Sequence, residues 1–180
     1  MAVGRAAFSV PQRRALLGAT ASLGLAAVLG NVAGCGFALR RAPELRFATL
    51  LLTGFAPRSP LALQLRRDID ASPATRVVDT LEQAQVVLDA VADERLKVVV
   101  ASTSVGQVTE FQLRARFAFR LRSVAGKELI PSSEIRLTRD MSYTETTALA
   151  KELEEASLYR TMQNDIVAQV LRRLASVQAF

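Results

Sequence analysis

The chain has 180 residues, half of them hydrophobic, with 23 Lys and Arg against 17 Asp and Glu for a formal net charge of +6. It contains no histidine and a single cysteine, Cys35, which excludes histidine acid/base chemistry, an intrachain disulfide and most transition-metal sites. Any catalysis would have to run on Asp, Glu, Lys, Ser or Tyr, and none of these forms a recognisable signature. The expectation is a protein that is not an enzyme and needs no cofactor.

Met1 to Arg14 carries Arg5, Arg13 and Arg14 and no acid, and residues 15–29 are Ala, Leu, Val and Gly with two small hydroxyl residues. A basic start followed by an apolar run too short for a permanent span reads as a signal peptide over residues 1–34. Val32-Ala33-Gly34-Cys35 follows directly and resembles the lipobox of bacterial lipoproteins. That resemblance implies cleavage before Cys35, a diacylglycerol on its sulfur and an acyl chain such as palmitate on the new amine. Two or more chains anchor a protein stably, since each buried methylene contributes about 0.8 kcal/mol. Gly36, in place of an acid after the lipidated residue, implies sorting to the outer membrane. Three of the basic residues leave with the leader, so the net charge of the remaining 146 residues drops to +3, a size that suits one compact domain.

Residues 35–44 form a lipidated tether in which Pro43 discourages regular structure, and a single domain is expected over 45–180. Leu45 to Phe55, "LRFATLLLTGF", is apolar on both parities and predicts a strand covered on both faces. Ser59-Pro60 supplies an N-cap and first helical residue, with Leu61, Leu65 and Ile69 at helical spacing until Ser72-Pro73. Thr75 to Asp79 is a candidate short strand. Ala84 to Ser104 is a longer one, rich in β-branched residues, and Gly106-Gln107 turns the chain back.

The clearest pattern is "FQLRARFAFRLR", residues 111–122. Phe111, Leu113, Ala115, Phe117, Phe119 and Leu121 share one parity, and Gln112, Arg114, Arg116, Arg120 and Arg122 share the other. Successive strand side chains alternate, so one face is apolar and the other is a ladder of arginines. "RARFAFRL" resembles the aromatic strand of RNA-recognition folds, but Phe117 and Phe119 share the parity of Leu113 and Leu121, which places them in the core rather than open to bases. No nucleic-acid partner is expected. The polar face is therefore either solvated or turned to an anion or an enclosing protein surface, and Arg114, Arg116 and Arg120 are the candidate contacts because planar guanidinium groups suit phosphate.

Ala125-Gly126-Lys127 makes the next turn, Pro131 interrupts the chain, and Ile135, Leu137, Met141 and Tyr143 form a further alternating strand. From Thr147 the period becomes helical, with Leu149, Leu153, Ala156, Met162, Ile166, Val170 and Leu174 read as one stripe, acids early and Arg172-Arg173 late. The order predicts an α+β fold: a two-layer sandwich with a mixed, mostly antiparallel sheet of about four strands and two helices packed on one face.

"CGFALR" at residues 35–40, "TEFQLRARF" from Thr109, "LIP" at 129–131 and "ALAKELEEASLYRTMQNDIVAQVLRRL" from Ala148 together resemble the LptE family of lipopolysaccharide-assembly lipoproteins. The resemblance implies a periplasm-facing, lipid-anchored outer-membrane protein that plugs the β-barrel LptD, assists its assembly and takes part in lipopolysaccharide transport to the cell surface. It also makes Lys151, in "ALAK", a candidate lipopolysaccharide contact beside its ordinary reading as a partner of Glu154 or Glu155. Family members often carry a basic residue before the hairpin glycine, where this chain has Ser104 and Val105. The alternative is a lipoprotein adaptor of another envelope complex.

Overall fold

The computed structural model describes residues 44–178; the expected signal peptide, Cys35 and all of the expected tether but Glu44 lie outside them. Five strands form one sheet: β1 (Thr49–Thr53), β2 (Arg76–Val78), β3 (Val86–Ser102), β4 (Val108–Ser123) and β5 (Glu128–Ser142), in the order β2-β1-β3-β4-β5. Two helices, α1 (Pro60–Asp70) and α2 (Ala148–Ala175), pack against one face. The fold is the expected α+β sandwich, with the candidate strand at 75–79 supplying the fifth member of the sheet.

Pairing of β1 with both β2 and β3 is parallel, whereas β3, β4 and β5 form an antiparallel meander. The parallel pair needs a crossover, and α1 is that crossover. Ser59 caps it, its Oγ accepting from the Ala62 amide at 3.2 Å with Pro60 at the first position. Its buried residues are Leu61, Leu65 and Ile69, the ones their spacing predicts. Beyond the helix, Asp70 accepts from the Val77 amide at 2.7 Å, and the buried Thr75 donates to the Phe47 carbonyl at 2.7 Å. These two bonds seat β2 beside β1.

β1 is shorter than its apolar run and is not covered on both faces. Leu50 is fully buried under the helices, but Leu51, on the opposite face, is only half-buried. Its end is set by Gly54, with φ +78°; a Cβ there would lie 2.2 Å from the Ala90 carbonyl oxygen. Only glycine tolerates both the dihedral and the approach.

β3 and β4 pair along nearly their whole length, with an irregularity at Val91. Ala90 opposes Phe119 and Ala92 opposes Ala118, so Val91 is an extra residue, 59% exposed. Because strand side chains alternate, one inserted residue exchanges the two faces of everything after it. Before the bulge, Val86 and Leu88 point into the core; beyond it Asp93, Arg95 and Lys97 point toward the helices, while Glu94, Leu96 and Val98 share the outer face with the arginines of β4.

Pro131 does not interrupt β5. Ser133 opposes Phe119 and Ile130 opposes Leu121, so Pro131 and Ser132 together face Arg120 in a second bulge. β5 is an edge strand, where a residue without an amide hydrogen is tolerated.

β4 follows its alternation. Leu113, Ala115, Phe117, Phe119 and Leu121 are all buried, and Phe117 stacks on Phe119 and on Phe55 with ring centroids 5.5 and 5.8 Å apart. In α2 the expected single stripe divides. Met162, Ile166, Val170 and Leu174 are buried, but Leu149 and Leu153 are 75% and 72% exposed. The step of six residues from Ala156 to Met162 is about 120° out of phase at 100° per residue, so the early leucines lie on the far side of the helix.

Substitution of Gly54 by Ala should lower the unfolding free energy by about 3 kcal/mol, combining strained φ with backbone collision. Gly106→Ala, at φ +84° but in open space, should cost only about 1 kcal/mol. Urea denaturation of the two variants side by side checks the difference.

Candidate functional site

The polar parity of β4 forms the centre of the sheet face that carries no helix. Its arginines are met by carboxylates from both neighbouring strands. Arg116 bridges Glu94 of β3 and Glu134 of β5, each at 3.2 Å. Arg120 and Arg122 converge on one oxygen of Asp89 at 3.1 and 3.0 Å, and Thr53 donates to its other oxygen at 2.5 Å. Arg136 closes on Glu134. Arg114 is the exception: its Nε donates to Gln112 Oε1 at 2.8 Å, and Gln112 in turn donates to Asp140 at 2.9 Å.

These pairs shift the acids. Burial by itself pushes the Asp89 carboxyl up, but the hydrogen bond from Thr53 and the bond and charge of Arg122, with Arg120 behind them, hold it below its ordinary value of 3.8. Chiefly the hydrogen bond from Arg116 holds Glu134 below its ordinary 4.5, and the same bond raises Arg116.

Lys151 sits in a second cluster. The sheet-facing side of the first turns of α2 is polar: Lys151 donates to Ser142 of β5 at 3.1 Å and to Glu154 at 2.8 Å. One turn on, Glu155 pairs with Lys97 at 2.6 Å, and Lys97 lies 4.2 Å from the centroid of Phe111. Tyr159 then donates to the Leu96 carbonyl at 2.8 Å, with Arg95 stacked over its ring and bonded to Gln163. Burial pushes the Tyr159 hydroxyl up.

Of the four residues singled out by sequence, Arg114, Arg116 and Arg120 therefore share one face, and Lys151 lies in a separate cluster under α2. Sequence reading missed the acids Asp89, Glu94 and Glu134, because their pairing depends on cross-strand register. It also missed Arg136, whose alternation with Ile135 and Leu137 could have flagged it. Cys35 lies outside the described residues.

Fold and face define a class: a small α+β domain that, among the described residues, presents an exposed apolar helix side opposite a charged sheet. Solved lipoproteins share this architecture. Lipoprotein B from Nitrosomonas europaea is 34% identical with a TM-score of 0.66, over 78% of this chain and 91% of that one. The rare lipoprotein B from Shewanella oneidensis shares the fold at 23% identity and TM-score 0.58, over 71% and 94%.

The particular family is set by sequence. The profile of the lipopolysaccharide-assembly family LptE matches residues 47–174, and the chain belongs to that family. LPS-assembly lipoprotein LptE from Yersinia pestis (strain Pestoides F) is 28% identical over 162 residues, 89% of this chain and 76% of that protein. The match from Yersinia pseudotuberculosis (strain YPIII) has the same values. Membership places the chain among lipoproteins of lipopolysaccharide transport and outer-membrane assembly. None of the described helices is long and apolar enough to cross a membrane.

Asp89 offers a direct test of the ladder. Its folded pKa is depressed, so the stability it contributes is present above the ordinary carboxylate range and lost as pH falls through the folded value. Asp89→Asn should cost about 2 kcal/mol at pH 7, and the deficit should shrink as pH drops below about 4. Urea unfolding of both proteins at neutral and acid pH checks the magnitude and the sign.

Proposed function

We propose that this chain is the lipid-anchored partner of an LptD-type β-barrel, seated in its lumen from the periplasmic side. There it assists folding of the barrel and passage of lipopolysaccharide through it. The anchor is the acylated Cys35, and the chain works by binding, without catalysis or a cofactor.

The observation that carries this reading is the reversed polarity of early α2. Lys151 and Glu155 face the sheet, while Leu149 and Leu153 face outward at 75% and 72% exposure. Leaving two leucines in water forfeits burial of about 1.5–3 kcal/mol each, and a second protein wall against them recovers it. On the opposite side of the domain, the arginine face offers the matching polar surface. A protein enclosed by a barrel needs partner-facing surfaces on both sides; one standing alone in the periplasm needs neither. In this reading Arg114, Arg116 and Arg120 meet the barrel wall or lipopolysaccharide phosphate, and Lys151 is reached by lipopolysaccharide only once its bond to Ser142 opens.

Copurification with tagged LptD from detergent-solubilised membranes tests the assignment. Wild type should be recovered with the barrel, and mass spectrometry of the chain should find lipid on Cys35. Leu149→Glu with Leu153→Glu should leave thermal stability within about 0.5 kcal/mol, as surface substitutions do, yet reduce the recovered complex severalfold. Charge reversal at Arg114, Arg116 and Arg120 should weaken complex formation or lipopolysaccharide binding. Recovery of the chain with another envelope complex and never with LptD would overturn the proposal.

A further inference from the structure

The outer face of the sheet is hollowed where the twisted meander curves. A depression of about 500 Å³ lies between the register rows Leu96, Arg114, Thr138 and Glu94, Arg116, Arg136. That is the size of a site for a small molecule rather than a flat contact. Its lining is chemically mixed: three guanidinium groups, one carboxylate, the Thr138 hydroxyl, and the side chain of Leu96, 55% exposed, with arginine stems around it.

The three arginines are not equivalent. Arg116 is held by Glu94 and Glu134 on both sides. Arg114 uses only Nε, on a neutral amide, so its two η nitrogens have no partner among the described residues. Arg136 likewise meets Glu134 through Nε and is 74% exposed. Glu94, the carboxylate lining the depression, is occupied by Arg116, so Arg114 has no carboxylate partner and Arg136, held by Glu134 at Nε, keeps its η nitrogens open. Two forks with open terminal donors on neighbouring strands can take the oxygens of one tetrahedral anion, and Leu96 one strand away can take an alkyl chain leaving it.

We propose that this depression is a binding site for the phosphate head of an amphiphile, with Arg114 and Arg136 as the anion-binding pair and Leu96 as the seat of the first methylenes. The assignment deepens the reading of this face as a lipopolysaccharide or barrel contact and rests on that reading only for its physiological setting. It separates Arg114, which has no carboxylate partner among the described residues, from Arg116, which has two.

The test uses the purified full chain in dodecyl maltoside micelles, titrated with dodecyl phosphate and, separately, with inorganic phosphate, following arginine Nε–Hε resonances by NMR. Dodecyl phosphate should shift Arg114 and Arg136 saturably, with inorganic phosphate at least about tenfold weaker for lack of the chain. Arg114→Gln and, independently, Arg136→Gln should each weaken dodecyl phosphate at least about tenfold. Arg66→Gln should leave it within about twofold, since Arg66 lies on α1, pairs with Asp79 and does not line the depression. Equal losses in the Arg114 and Arg66 variants, an unchanged affinity in both the Arg114 and Arg136 variants, or inorganic phosphate binding as tightly as dodecyl phosphate would overturn the proposal. No barrel is present in this assay, so it can fail while copurification with LptD succeeds, and the reverse.

Discussion

One extra residue in β3 organises both surfaces of the domain. Asp89 and Glu94 have opposite parity and would face opposite ways along a regular strand. Because Val91 is bulged out, both lie on the outer face, Asp89 against Arg120 and Arg122 and Glu94 against Arg116. The same step turns Asp93, Arg95 and Lys97 inward. There Asp93 accepts from Ser59 at 2.8 Å and Lys97 pairs with Glu155, so the cap of α1 and the early turns of α2 are tied to the same strand. Without the bulge, Asp89 and Glu94 could not both face the arginines of β4, and the first turns of α2 would find Leu96 and Val98 where their own side is polar.

The inward polar row explains the unusual polarity of α2. A helix normally lays its apolar stripe on the core, and from Met162 onward this one does. Its first turns instead meet a strand already carrying Arg95 and Lys97, so Glu155 and Tyr159 are the complementary choices, Lys151 turns to Ser142 of β5, and the leucines are left outside. The domain is thus built in two parts: a closed core under the C-terminal half of α2, and a long hairpin extension held to the helix by ion pairs and hydrogen bonds.

Electrostatic balance on the sheet is also a matter of position. Exposed ion pairs contribute little individually, but here they pair Arg116, Arg120 and Arg122 of the ladder with carboxylates of the neighbouring strands. What remains is local: Arg114, oriented by a neutral glutamine, and the terminal nitrogens of Arg136 beside it. A face that reads as uniformly basic in sequence is therefore specific in three dimensions.

Much of the fold was legible in the chain because the relevant physics is local. Alternation through residues 111–121 assigned the buried face of β4, and Phe117 and Phe119 went to the core as their parity required. Ser59-Pro60 marked the start of α1, and Gly106 and Gly126 marked turns where φ is positive. Residues 47–174 carried enough of a family pattern to be recognised. What only the tertiary structure decided is how strands slide and which faces meet. The bulge at Val91, the accommodation of Pro131 at an edge, the partial exposure of β1 and the partners of each arginine all depend on cross-strand register. A one-residue slip exchanges the two faces of a strand while leaving its residue order unchanged, so no local pattern within a single strand could disclose it.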